Sequence, residues 1–168
     1  MEDCEFTELK TRAEKSAQEV IKKLGGLSLT VALAESCTAG LVSALLAGVS
    51  GASGVLWGSF VCYKKEAKVS MLGLEHEKLT ANGLVSRETA LEMAEEVLRK
   101  SGADITAAVT GLAGPNGDGS EVQVGTVWVA TAMKNKEAAA REFHFSGSRN
   151  AVRMQAAIAV IESIYDLT

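Results

Sequence analysis

The feature that most constrains the fold is a continuous apolar run, LTVALA (29–34), lying between a helix-periodic stretch and a cluster of small polar residues. A strand exposed on one face alternates apolar and polar side chains, whereas a strand apolar at every position belongs inside a sheet covered on both faces. Such a chain must supply helices for two faces, and the rest of the sequence reads that way. Residues 5–23 set Leu9, Ala13, Ala17, Val20 and Ile21 on one helical face, and Gly25-Gly26 ends that helix. CTAGLVSALLAGV, directly after Ser36, reads as a second helix, VLWGSFVCY (55–63) as a second strand, and KKEAKVSML (64–72) as a charged helical stretch. A short linker leads to a helix that Ser86 caps and that runs through Lys100, with Thr89 where a capping box would prefer glutamate. ITAAVT (105–110) is a third strand, running into the glycine-rich loop GLAGPNGDGS (111–120). VGTVWVATA (124–132) and AAREFHF (139–145) form an antiparallel pair, and a last helix runs from near Ser148 to about Tyr165. The expected architecture is α/β: a three-layer α/β/α sandwich with a mixed sheet, in a single domain whose core spans about residues 10–165.

Composition narrows the function classes. A chain of 168 residues that is 47% hydrophobic can bury a sizeable core, which excludes intrinsic disorder. The net charge of −4 supplies no global field toward nucleic acid or an anionic membrane. No run approaches the ~18–20 apolar residues of a bilayer span, and the acidic start MEDCEFTELK lacks the apolar core of a secretory signal. A cytoplasmic protein is expected. Cys4, Cys37 and Cys62 are odd in number and widely spaced, which suits neither a disulfide framework nor a zinc site. His76 and His144 stand far apart and read as surface or packing residues.

Open α/β sheets bind ligands beyond the carboxyl ends of their strands. Three such ends carry small and polar residues. The first, Glu35-Ser36-Cys37-Thr38, enters a helix, where Ser36 is either a nucleophile or the helix cap. Cys37 competes for the nucleophile role, because helix N-termini lower thiol pKa values. The second, Tyr63 to Lys68, holds Lys64 and Lys68 on one helical face and Lys65 on another. A lysine desolvated in a cleft can serve as a base, although a lysine run is usually a solvated face. The third, Thr110-Gly111-Leu112-Ala113-Gly114, demands tight turns and close backbone approach. It matches neither the nucleoside-triphosphate loop G-x-x-x-x-G-K-[ST] nor the dinucleotide fingerprint G-x-G-x-x-G. Ser146-Gly147-Ser148-Arg149, opening the last helix, offers a further anion seat, unless Arg149 pairs with a surface carboxylate.

Taken in order, AESCTAG (34–40), Tyr63 with EAK (66–68), GLVS (83–86), GAD (102–104), TGLAGP (110–115), VGTV (124–127) and FSGSRNAVR (145–153) resemble the CinA C-terminal domain family. Its characterised members are nicotinamide-nucleotide amidases. The resemblance implies hydrolysis of the carboxamide of nicotinamide mononucleotide to nicotinate mononucleotide and ammonia. It implies Ser36 as nucleophile, Lys68 as its base and Tyr63 as a hydroxyl completing the proton network. It places Thr110 and the GLAG turn, with Gly111 and Gly114, in the substrate pocket, and gives the 5′-phosphate to Arg149. Backbone amides of Cys37 and Thr38 would receive the oxyanion. No cofactor or metal is implied. The partners implied are a small-molecule nucleotide and further copies of the chain, a homo-oligomer of two or more, with no nucleic acid and no membrane. The form implied is the stand-alone one, without the family's additional N-terminal domain.

Three positions depart from the family pattern: Lys65 stands where asparagine is frequent, Ala39-Gly40 replaces a glycine pair, and Gln123 replaces a proline. An ammonium at Lys65 could help lower the pKa of Lys68 or disturb the site. Two other readings of the same fold stay open here: a nucleotide-binding regulatory domain without turnover, and a hydrolase of another amide.

Overall fold

The computed structural model describes the backbone of residues 2–168 and the side chains of residues 6–168, so the Cys4 side chain lies outside the described residues. Five strands and six α-helices alternate as α1 (Glu2–Gly26), β1 (Val31–Glu35), α2 (Leu41–Ala47), β2 (Leu56–Val61), α3 (Lys65–Ala67), α4 (His76–Asn82), α5 (Arg87–Ser101), β3 (Ile105–Gly111), β4 (Thr126–Met133), β5 (Ala139–His144) and α6 (Arg149–Asp166). The sheet order is β2-β1-β3-β4-β5. β1 pairs in parallel with β2 and β3, whereas β3–β4 and β4–β5 are antiparallel, so the sheet is mixed as expected.

Burial follows from the alternation of side chains along the strands. Val31 and Leu33 of β1 join the cluster formed with α1, α2 and α6, while Ala32 and Ala34 face the cluster built on α5. Every residue of β1 is buried, as a run apolar on both faces requires. The expected helical face of α1 is the one that packs, with Ala13, Ala17, Val20 and Ile21 all buried. Among the described residues, no helix is long and apolar enough to cross a membrane.

The structure corrects the sequence reading in three places. α2 does not start beside Ser36: residues 36–40 form a turn, and Gly40 at φ 90 caps the helix that begins at Leu41. Ser36 is therefore not a helix cap. The linker before Ser86 contains a helix, α4. The stretch after β2 is helical in two pieces, α3 followed by a π-helical turn over Lys68–Leu72. Such turns recur at functional sites because they redirect one side chain out of α-helical register. Ser86 caps α5 as expected, its hydroxyl accepting from the Thr89 amide, and Ser148 caps α6 in the same way through the Ala151 amide.

Because β2, β1 and β3 run parallel, their carboxyl ends lie side by side. Register places Glu35 between Val61 and Val109. The ladder continues one residue further: Ser36 N–H donates to Val109 O at 3.0 Å, and Cys62 N–H to Glu35 O at 2.9 Å.

Candidate active site

Alternation puts Glu35 on the α2 side of the sheet and Ser36 on the opposite side. Glu35 is 1% exposed, and a buried carboxylate needs partners. It accepts from the Thr38 hydroxyl (2.9 Å), the Val42 and Ser43 amides (3.0 and 2.9 Å) and the Ser59 hydroxyl (3.0 Å). Glu35 thereby ties the first amides of α2 to β1 and β2, a capping role that no residue adjacent to the helix performs.

On the other side, the π-helical turn carries Lys68 beneath the sheet end. Lys68 is 1% exposed. Its Nζ lies 2.9 Å from Ser36 Oγ and donates to Cys62 O, also at 2.9 Å. Among the described residues no carboxylate stands within salt-bridge distance of it. Burial holds its pKa below the ordinary 10.5, against the smaller opposing influence of the Cys62 and Cys37 thiols. A buried lysine without a counter-ion, hydrogen-bonded to a serine, is a base poised for that serine.

Ser36 and Lys68 lie in a cleft of about 260 Å³. Of the other residues singled out in the sequence, Cys37, Tyr63, Thr110, Gly111, Gly114 and Arg149 line the same cleft. Thr38 does not: it is fully buried, and its hydroxyl is held by Glu35. His76 and His144 line no part of the cleft. Thr110 donates its hydroxyl to Leu84 O at 2.7 Å, which fixes the GLVS segment against β3. Gly111 is needed for close approach, since a Cβ there would sit 2.7 Å from Thr126 O, and Gly114 takes φ +77.

The geometry bears on four of the sequence readings. The Tyr63 hydroxyl shares no hydrogen bond with Ser36 or Lys68; it accepts from Arg149 at 2.7 Å. Arg149 also donates to Gly114 O at 2.6 Å, so its guanidinium spans the mouth between the loops after β2 and β3, and it pairs with no carboxylate among the described residues. Cys37 loses its claim as nucleophile, because burial pushes its thiol up to about 11. Lys65 points out of the cleft and donates to the Thr80 hydroxyl on α4. It lines no part of the cleft, and burial rather than Lys65 is what lowers the Lys68 pKa.

Sequence reasoning missed Glu35 as a capping residue, and it missed Arg153. The latter, one turn after Arg149 on α6, donates to Cys37 O (3.2 Å) and Thr38 O (2.8 Å). The spacing i, i+4 puts both arginines on one face, which was the available signal.

The family model of the CinA C-terminal domain matches residues 13–168. The chain belongs to the CinA C-terminal domain family. Within that family it is 38% identical over 149 residues to the nicotinamide-nucleotide amidohydrolase PncC of Escherichia coli, covering 89% of this chain and 90% of PncC. It is also 38% identical over 152 residues to a CinA-like protein of Kosmotoga olearia, but spans only 37% of that longer relative. The solved structure of the competence/damage inducible protein CihA from Agrobacterium tumefaciens superposes with a TM-score of 0.89 at 38% identity, covering 93% of this chain and 95% of CihA.

Proposed function

We propose that this CinA-family chain hydrolyses the carboxamide of nicotinamide mononucleotide to nicotinate mononucleotide and ammonia, with Ser36 as nucleophile and Lys68 as its base. The observation that carries the reading is the buried 2.9 Å contact between Lys68 Nζ and Ser36 Oγ in the cleft. The choice of substrate is supported by the name of the E. coli relative, matched over nearly its full length.

The chemistry follows from the arrangement. Neutral Lys68 keeps its orientation by donating to Cys62 O, and its lone pair takes the Ser36 proton as Oγ attacks the carboxamide carbon. The tetrahedral oxyanion is received by the amide of Cys37, which lines the cleft beside Ser36. Lys68 returns the proton to the amide nitrogen, the C–N bond breaks, and ammonia leaves. Water then attacks the acyl-serine, giving its proton to Lys68, which passes it to Ser36 Oγ as the C–O bond to Ser36 breaks and the carboxylic acid leaves. Arg149 would exchange Gly114 O and the Tyr63 hydroxyl for the 5′-phosphate, a stronger charge-assisted partner.

The test is ammonia release from nicotinamide mononucleotide by the purified protein beside Ser36→Ala. The proposal expects steady release by the native chain and a loss of roughly three orders of magnitude or more in kcat on removing the hydroxyl. Equal release by both proteins would remove Ser36 from the reaction.

A further inference from the structure

We infer that Arg153 is a positioning residue for catalysis: from α6 it fixes, through the carbonyls of Cys37 and Thr38, the turn that carries Ser36 and presents the Cys37 amide to the cleft. The inference rests on the hydrolase reading above and assigns a task to a side chain that touches no reacting atom in it.

The turn over residues 36–40 is held from inside and from outside. Ala39 sits at φ 50 and Gly40 at φ 90, so one non-glycine residue occupies the left-handed region that side chains disfavour. Two backbone hydrogen bonds close it locally, Ala39 N–H to Ser36 O at 3.0 Å and Leu41 N–H to Thr38 O at 3.2 Å. Its side-chain anchors come from elsewhere in the fold. Glu35 holds the Thr38 hydroxyl from the α2 side. Arg153 reaches across from a helix more than a hundred residues later and takes two successive carbonyls, with Nε on Cys37 O and a terminal nitrogen on Thr38 O.

A trans peptide is planar, with its N–H and C=O on opposite edges. Thr38 C=O on Arg153 and Ala39 N–H on Ser36 O are opposite edges of one peptide, and Ser36 O shares the next plane with the Cys37 N–H, so the grip of Arg153 is passed to the amide that lines the cleft. A cationic donor on the Thr38 carbonyl also polarises that peptide, which strengthens Ala39 N–H as a donor to Ser36 O and, through it, the Cys37 amide. A planar guanidinium can serve two carbonyls at once, whereas a lysine ammonium is a point donor on a flexible stem. Arg153 is thus fitted to hold an oxyanion seat rigid without meeting the substrate.

The experiment compares the native chain with Arg153→Met and Arg153→Lys in two assays. One is steady-state hydrolysis of nicotinamide mononucleotide. The other is labelling of Ser36 by a fluorophosphonate, in which Oγ bonds phosphorus as fluoride leaves; it needs the serine and the oxyanion donors but not the nucleotide. The expected result for Arg153→Met is a fall of about tenfold to a hundredfold in kcat and in labelling rate, with KM changed less than about threefold. Arg153→Lys should fall between the two. Native kcat and native labelling in a folded Met variant would overturn the proposal, as would a raised KM with intact kcat, which would make Arg153 a substrate contact. If the Met variant fails to fold, native values in the Lys variant overturn it equally. A native chain that is labelled yet releases no ammonia would sink the choice of substrate alone, and the labelling series would still decide the role of Arg153.

Discussion

In the proposed reaction a single nitrogen–oxygen contact, Lys68 to Ser36, turns an ordinary hydroxyl into a nucleophile, and it does so because Lys68 is buried rather than because it is paired. The same burial acts oppositely on the thiol next door. Desolvation disfavours charge on either group, so the lysine is pushed toward its neutral, basic form and Cys37 toward its neutral, unreactive form. We therefore expect Cys37 and Cys62 to resist a thiol reagent such as dithiobisnitrobenzoate at pH 8 in a Cys4→Ser background, and to react together once the chain is unfolded. Rapid reaction of one equivalent in the native state would show that the Cys37 site is open. At this scale the sequence was partly legible. Ser36, Lys68 and Arg149 stand out by their places at strand and helix ends, and only the family resemblance selects their roles. Glu35 was legible in principle, since alternation places it on the buried face shared with Val31 and Leu33. Arg153 was less so, because its partners are backbone carbonyls 115 and 116 residues away, which no local pattern encodes.

At the scale of elements, the differences have two causes, and the first is that small residues after a strand read as helix. Thr38, Ala39 and Gly40 form a turn instead, and the capping task moves from Ser36 to Glu35, a residue of the preceding strand. Residues 73–85 were read as linker, yet Leu79 of α4 buries against the α5 layer. A seven-residue helix offers too few turns for its period to stand out. The capping argument yields a prediction. Glu35→Ala leaves two amides and two hydroxyls without their acceptor in a closed interior, and should destabilise the fold by about 3 kcal/mol in chemical denaturation. A loss below about 0.5 kcal/mol would mean that α2 does not depend on this carboxylate.

For the whole molecule, strand order is what assembles the site: three parallel strands end together, and each contributes one wall, from β2 (Tyr63), β1 (Ser36) and β3 (Thr110). The opposite end of the sheet is fastened separately. Asp104 accepts from the Thr30 amide and hydroxyl and from Lys134, which holds its carboxyl down at about 2. A depressed carboxylate stabilises the fold above its unfolded pKa of 3.8, and that contribution is lost as pH falls through about 2. Asp104→Asn should therefore be less stable than the native chain at pH 7, and the gap should narrow steadily below pH 4; a gap independent of pH would contradict the assignment. The layered fold was readable from LTVALA and its flanking helices, whereas the meeting of Lys68 with Ser36 exists only after folding. Its most direct test is the pH dependence of kcat/KM for nicotinamide mononucleotide, measured for the native chain and for Lys68→Arg. Below its folded pKa Lys68 is protonated and Ser36 has no base, so activity should rise with pH through a midpoint below 10.5, while the permanently charged arginine variant stays inactive throughout. A flat native profile, or an arginine variant with native activity, would contradict the serine–lysine mechanism.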